Sequence, residues 1–329
     1  MDKKNILAFV LIGIVLTVFI IYNSVNQRPA PKATTEQTDS TATAAAAKDT
    51  AQTKPAPVVV DTVTADVRDS INRVSEFGPA FARFAKGQKD IIHIETDLVK
   101  IKINTKGAAI LEWELKKYKH WAKYPTQLVF NDFGELYLAW ETRDRQKIDS
   151  RDLYFDFDNN GKLNYQLAGS DSLELTGKLE VAPGKYILRK FKFYGDKYYF
   201  INDLQVANLE NEIASKGFKY AWTDGLRFQE HNSVDEFGQS YVCVSMNGST
   251  DEVKAEDSKK NEQRTGKIDY AAIKIKYFAA AIIPQPAKSW DGTVNLTSSK
   301  ELLPNSGQLG RYGMEFLLPY NKGNINTSF

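Results

Sequence analysis

The sequence is poor in the residues from which reactive sites are usually built. Its single cysteine, Cys243, allows no internal disulfide and excludes a small disulfide-stapled scaffold. In YVCVSM that cysteine alternates with Val242 and Val244, the pattern of a packed apolar side chain rather than a reactive thiol. The three histidines, His93, His120 and His231, lie far apart and match neither H-x-x-x-H nor H-E-x-x-H, so no metal site is predicted. No G-x-S-x-G and no G-x-x-x-x-G-K-[ST] occurs; TGK at Thr176–Lys178 lacks a glycine-rich lead and reads as a turn between strands. The formal net charge is only +2, which excludes a bulk field favouring nucleic acid. Apolar runs are scarce too: after Tyr22 the longest is YFAAAII, far too short to cross a bilayer. Catalytic, cofactor-binding and metal-ligating residues are therefore assigned to no position, no cofactor is expected, and the chain is read as a non-enzyme.

What is present begins with ILAFVLIGIVLTVFIIY, Ile6 to Tyr22, which has no charge and no proline. Its roughly 17 residues make about 26 Å of helix, close to the ~30 Å hydrocarbon core of a bilayer. The run exceeds the core of a signal peptide, and no A-x-A-like site follows Tyr22 closely. Residues 1–27 are thus expected to be an uncleaved transmembrane signal-anchor that contacts the lipid bilayer through Ile6 to Tyr22. Lys3 and Lys4 precede the run, whereas Arg28 stands alone beyond it. The positive-inside rule then places the N-terminus in the cytoplasm and the bulk of the chain outside, in the periplasm of a Gram-negative cell.

Residues 28–65 are rich in Ala, Thr, Pro and Lys and have almost no large apolar residue before Val58, the composition of a disordered tether. Residues 66–90 form a helical lead-in: Val67, Ile71, Val74, Phe77, Phe81 and Phe84 recur at helical spacing, and Gly78-Pro79 interrupts them. The spacing predicts two short helices, or a helix and a turn, packed on a sheet. From Ile91 to the end, residues 91–329, the period becomes two. More than a dozen alternating segments are separated by turn signals such as Pro183-Gly184 and Asn247-Gly248. An all-β fold follows, a large antiparallel sandwich of two extensive sheets. YAAIKIKYFAAAII reads as one strand, whereas Leu226–Ser240 and the charged Asp251–Lys267 lack alternation and read as loops.

A few residues invite a functional reading. Glu112 and Glu114 share a strand face and could pair as acid and base, although solvated carboxylates have the same spacing. Trp113, Trp121, Trp140, Trp222 and Trp290 could line a sugar groove or pack in the core. Lys116, Lys117, Lys119 and Lys123 lie among Tyr118, Trp121 and Tyr124; the mixture suits phosphate headgroups, an acidic protein surface, or simply a solvated loop. His231, near Glu230 and Asp235, is the one candidate base.

The order of segments carries a resemblance. An apolar anchor, a polar tether, FGPAFARFAKG, then IHIETDLVKIKINTKGAAILEWELKKYKHW, and later KIDYAAIKIKYFAAAIIP resemble the start of a bacterial YidC-type membrane protein insertase. The resemblance spans the anchor and most of Phe77 to Pro284. It implies a periplasmic β-super-sandwich with short peripheral helices, similar in fold to sugar-binding and sugar-mutarotating sandwiches. It implies an insertase and chaperone role for inner-membrane proteins, mechanical rather than covalent, with an accessory docking role for this domain. Nascent membrane proteins and Sec translocon components are the implied partners, and nucleic acid is not. The family's five-helix membrane core, with its arginine-bearing groove, has no counterpart in these residues, so no groove residue carries over. The alternatives are a membrane-anchored carbohydrate-binding or carbohydrate-modifying sandwich and a structural spacer. The closing LLPYNKGNINTSF is strand-like and is expected to leave an unpaired sheet edge near Asn324 to Phe329.

Overall fold

Period-two alternation becomes strands with one face inward, as along β10, where every second residue from Ile187 to Phe193 is buried. In the computed structural model of the protein, the described residues are 65–214, 217–285, 290–320 and 324–329. The expected anchor and the expected tether up to residue 64 lie outside them, and Ala65 already belongs to a helix. No helix among the described residues is long and apolar enough to cross a membrane. Residues 61–329 form one compact unit. A single continuous core runs within it from Phe77 to Phe329, so the unit carries its own folding determinants.

The chain opens on helix α1 (Ala65–Phe81) and a 3₁₀ turn at Ala82–Ala85. There follow β1 (Ile91–Glu95), β2 (Val99–Asn104), β3 (Ala109–Lys119), β4 (Pro125–Phe130), β5 (Glu135–Glu141), β6 (Lys147–Asp149), β7 (Asp156–Phe157) and β8 (Asn164–Gln166). Then come β9 (Ser172–Ala182), β10 (Lys185–Tyr194), β11 (Ile201–Ala207), β12 (Phe218–Thr223), helix α2 (Ser233–Gly238), β13 (Tyr241–Met246) and β14 (Ser249–Val253). The chain closes with β15 (Lys260–Lys274), β16 (Ala279–Ile282), β17 (Trp290–Leu302), β18 (Gln308–Leu318) and β19 (Ile325–Ser328).

The all-β expectation holds, with three hydrogen-bonded sheets rather than two. One has the order β4-β3-β2-β1-β8 and another β19-β11-β10-β9-β7. The third has nine strands, β14-β13-β15-β17-β18-β12-β5-β6, with β16 paired to β15 beside this path. Pairing is antiparallel except between β1 and β8, which run parallel. The final strand, β19, pairs with β11 at the end of its sheet, and Ser328 also bridges to Gln285.

Four local expectations need correction. YAAIKIKYFAAAII is a hairpin: the chain turns where Ile275 N–H donates to Phe278 O at 2.8 Å, and β16 folds back on β15. Asp251–Lys267 is mostly strand. There β15 extends along β17 with half-buried and exposed polar residues in turn, so neither face shows an apolar signal; cross-strand ion pairs such as Arg264–Asp251 line it instead. Leu226–Ser240 contains the short helix α2, whose Asn232 side chain accepts from Asp235 N–H as an N-cap. TGK lies in mid-strand β9. Gly177 is there for room: a Cβ would meet the Phe157 ring at 2.9 Å.

Helix α1 docks through its C-terminal end alone. Gly78 takes φ 72° and Pro79 starts the next turn, which buries Phe77 and Phe81. Phe81 meets the Trp140 ring edge-on at 5.1 Å, and Trp140 stacks on Phe218 at 5.5 Å. Removing a ring so placed costs about 3–5 kcal/mol. Val67, Ile71 and Val74 are exposed, so the earlier turns of the helix do not pack on the sheets.

Candidate functional site

An apolar cleft of about 450 Å³ opens in the fold, and all three sheets contribute to it. One wall comes from β3 and β4 through Trp113, Leu115 and Leu128; another comes from β12 through Tyr220 and Trp222. The segment leading into β11 adds Tyr198, Tyr199 and Phe200, and Phe329 closes one side. Trp113 and Phe200 lie 5.5 Å apart, and Tyr220 and Phe329 stack at 4.4 Å. The polar side chains in the lining are the tyrosine hydroxyls, the Trp indoles and the Asn202 amide; it holds no histidine and no carboxylate side chain.

The remaining side has a distinct geometry. All seven residues from Tyr277 to Ile283 line the cleft. Side chains of a strand alternate between faces, so a consecutive run meets a cavity with the strand's edge rather than one face. Among the described residues, strand β16 is hydrogen-bonded to β15 along its other edge only. The cleft is thus bounded by aromatic walls and an open strand edge.

Beneath the cleft sits a fully buried cation. Arg189 occupies an inward position of β10 between Ile187 and Phe191. Its Nη1 donates to Ala108 O at 3.1 Å and Gly107 O at 3.4 Å, carbonyls aimed by a turn in which Gly107 and Ala108 both take positive φ. Its Nη2 donates to Asn202 Oδ1 at 3.1 Å, and the same oxygen accepts from Tyr220 O–H at 3.0 Å. The Phe191 ring lies 5.0 Å from the guanidinium carbon. No carboxylate pairs with Arg189 among the described residues, and its Nε lacks a hydrogen-bond partner. Burial pulls its pKa below the usual arginine value and pushes Tyr220 up to about 12. The carbonyls, the amide and the ring faces carry the positive charge.

The residues singled out from sequence are divided by the fold. Glu112 and Glu114 are not a catalytic pair: each faces a lysine across the β2–β3 ladder, Lys102 at 2.6 Å and Lys100 at 3.8 Å, away from the cleft lining. Trp113 and Trp222 line the cleft, Trp140 is core, and Trp121 is exposed. Cys243 is buried, which raises its thiol pKa. His93 is exposed on β1. Two histidines that are distant in sequence come together. The Trp121 ring stands edge-on to His231 at 4.6 Å and lies 5.3 Å from His120. Asp235 is held by Lys276 at 2.6 Å, so it does not orient His231 as a base. No group of three or more His, Cys, Asp or Glu residues that could hold a metal occurs among the described residues.

The buried arginine and the cleft were missed from sequence. For Arg189 a signal existed: in YILRKFKFY the inward parity set by Ile187, Phe191 and Phe193 includes Arg189, whereas Lys190 and Lys192 fall on the other face. For the cleft no local signal existed, because its walls come from segments well over a hundred residues apart.

A β sandwich around one core, with an apolar cleft whose lining holds no histidine and no carboxylate side chain, is the class of protein that the fold and site define. Residues 91–316 match the YidC periplasmic domain, and the chain belongs to that family. The membrane protein insertase YidC of Chlorobium phaeovibrioides is 30% identical over 289 residues, covering 86% of this chain and 46% of that protein. That of Chloroherpeton thalassium is 26% identical, covering 100% of this chain and 54% of that protein. The chain spans about half the length of the curated relatives it matches. Among solved structures, a candidate aldose 1-epimerase from Escherichia coli K12 aligns at 9% identity and a TM-score of 0.45, covering 73% of this chain and 97% of that chain.

Proposed function

We propose that this chain is the anchored outer domain of a membrane protein insertase, and that its cleft receives extended apolar stretches of client polypeptide. The observation that carries the reading is the lining: aromatic and aliphatic walls beside the open edge of β16. An unpaired strand edge recognises a peptide backbone, and apolar walls accept alternate side chains. Neither feature is specific for a sugar, so the carbohydrate alternative is not favoured. The lining offers tyrosine hydroxyls but no histidine or carboxylate side chain to pair with them as acid and base, and we read the domain as a non-enzyme.

Residues 1–27 serve in this reading as the transmembrane anchor, 28–65 as the tether, 66–90 as the helical lead-in and 91–329 as the periplasmic sandwich. The N-terminus is cytoplasmic. Nascent inner-membrane proteins are the clients, and the Sec translocon supplies them. The test is site-specific photo-crosslinking in the full-length protein, with the photoreactive residue at Phe278. Crosslinks to apolar stretches of translocating clients are expected. Their absence during normal insertion would remove the cleft from the pathway. Mutarotase activity abolished by His231→Ala would restore the carbohydrate alternative.

A further inference from the structure

Three strand connections, one from each sheet, meet at the cleft mouth, and each carries lysine beside tyrosine. They are Lys117-Tyr118-Lys119 at the end of β3, Lys197-Tyr198-Tyr199 before β11, and Lys276-Tyr277-Phe278 between β15 and β16. Tyr118 joins them: its ring lies 6.3 Å from Tyr198 and 5.6 Å from Phe278. Tyr118, Tyr198, Tyr199 and Tyr277 all line the cleft yet remain exposed, Tyr277 at 64%. Trp121, at 48%, extends the aromatic surface on the β3–β4 connection.

That connection is rigid despite its exposure. His120 N–H donates to Tyr124 O at 2.9 Å, Lys123 N–H to His120 O at 2.8 Å, and Ala122 N–H to His120 Nδ1 at 3.1 Å. The His120 ring stacks on Tyr124 at 4.2 Å, and Trp121 N–H donates to Gln229 O at 3.1 Å.

The charges around the mouth divide in two. Lys116 pairs with Glu95, Lys197 with Asp196 and Lys276 with Asp235. Lys117, Lys119 and Lys123 have no carboxylate within ion-pair distance among the described residues.

We propose that these three tips form a membrane-contact surface that seats the cleft mouth against the anionic headgroup layer of a bilayer. The proposal rests on the reading that the domain works tethered beside a membrane, and it adds which face turns to the lipid. Tyrosine and tryptophan rings with wet polar edges partition into the headgroup layer, and lysines reach phosphates while their methylene stems lie along apolar surface. An acidic protein face would satisfy the three lysines but would leave the exposed ring surface without an apolar counterpart. The bilayer boundary satisfies both. A client segment leaving the membrane beneath this face would enter the cleft directly.

The test uses residues 61–329, which contain the whole core, and vesicles of phosphatidylglycerol mixed with phosphatidylcholine. The protein should float with these vesicles, less with pure phosphatidylcholine, and be released by high salt. Lys117→Ser, Lys119→Ser and Lys123→Ser together should weaken binding on the order of 100-fold, about fivefold for each lysine. Tryptophan emission should be quenched by brominated lipid, and Trp121→Phe should remove most of the quenching. Variants that melt like the parent qualify for comparison; Tyr198→Ser with Tyr199→Ser gives a second route should the lysine variant fail to fold. No flotation would overturn the proposal, as would equal binding by a folded triple variant. So would capture by immobilised polyglutamate without flotation, which would assign the face to an acidic protein. If flotation fails while client crosslinks from Phe278 persist, the surface is wrong and the cleft reading stands; the converse result separates them the other way.

Discussion

The floor and the mouth of the cleft use polar groups in opposite ways. At the floor, Arg189, Asn202 and Tyr220 are sealed from solvent, and the single oxygen of Asn202 serves both of the others. At the mouth, tyrosines and lysines stand in solvent, and three ammonium groups have no carboxylate partner among the described residues. A buried polar group left without its partner carries the full desolvation cost, whereas an exposed one is compensated by water. The floor should therefore govern stability and the mouth should govern contacts.

The sharpest way to break this comparison is Asn202→Leu. The substitution removes the acceptor for Arg189 and Tyr220 and the amide that donates to Lys190 O at 3.1 Å. It should cost about 3 kcal/mol or more, read as a lower denaturant midpoint at unchanged slope. Adding Arg189→Met removes the stranded charge, so the double variant should be less destabilised than the sum of the single ones. A loss below about 1 kcal/mol for Asn202→Leu would mean that water, not the amide, satisfies the guanidinium.

An intermediate effect is expected at Gly177. Gly177→Ala places a Cβ where the Phe157 ring now packs, at 2.9 Å, and should cost about 1–3 kcal/mol through displacement of that ring. The substitution also tests a misreading. TGK resembles a turn because glycine marks turns in sequence, and only the position of β7 over β9 shows that this glycine makes room for a ring. Much else was legible. Alternation located most of the strands because one face of each is buried, and the Gly78-Pro79 break located the change of direction in α1. The lysine–aromatic mixture between Lys116 and Tyr124 was visible too, but not its completion by Tyr198 and Tyr277, whose segments read as strand. What stayed hidden depends on topology. Phe278 meets Tyr118 only because the β15–β16 turn and the β3–β4 connection come from different sheets that converge at one end. The charged half of β15 stayed hidden for another reason: both of its faces are polar, so period two carries no hydrophobic contrast.

At the mouth, Tyr198→Ser with Tyr199→Ser should change stability by less than about 0.5 kcal/mol, since neither ring is buried. A thermal-melt loss as large as that of Asn202→Leu would erase the division between floor and mouth.

The smallest expected effect is a pH dependence at the border between the two regions. His120 is buried, and burial, followed by the Arg227 charge, lowers its pKa below the ordinary histidine value, with Glu230 opposing. The ring is also tied structurally: Nδ1 accepts from Ala122 N–H, a role lost when that nitrogen is protonated. The sign follows from the direction of the shift. Below a pH of about 6.5 the unfolded chain binds a proton at this histidine that the folded chain still refuses. Stability contributed by the neutral ring is therefore fully present above that pH and declines as pH falls toward the lower folded-state value. His120→Asn keeps an acceptor for Ala122 N–H without a titratable ring. Melting profiles of parent and variant, recorded from pH 7.5 down to pH 5, should diverge below about 6.5, with the parent losing more. His93 and His231 are exposed and present in both proteins, so the difference isolates His120. In the same window the parent's Trp121 emission should shift, because the ring sits between His120 and His231 on the connection that protonation loosens. Parallel profiles would show that His120 takes up its proton equally in the folded and unfolded chain, and would place the rigidity of the mouth in the Tyr124 stack and the Gln229 bond alone.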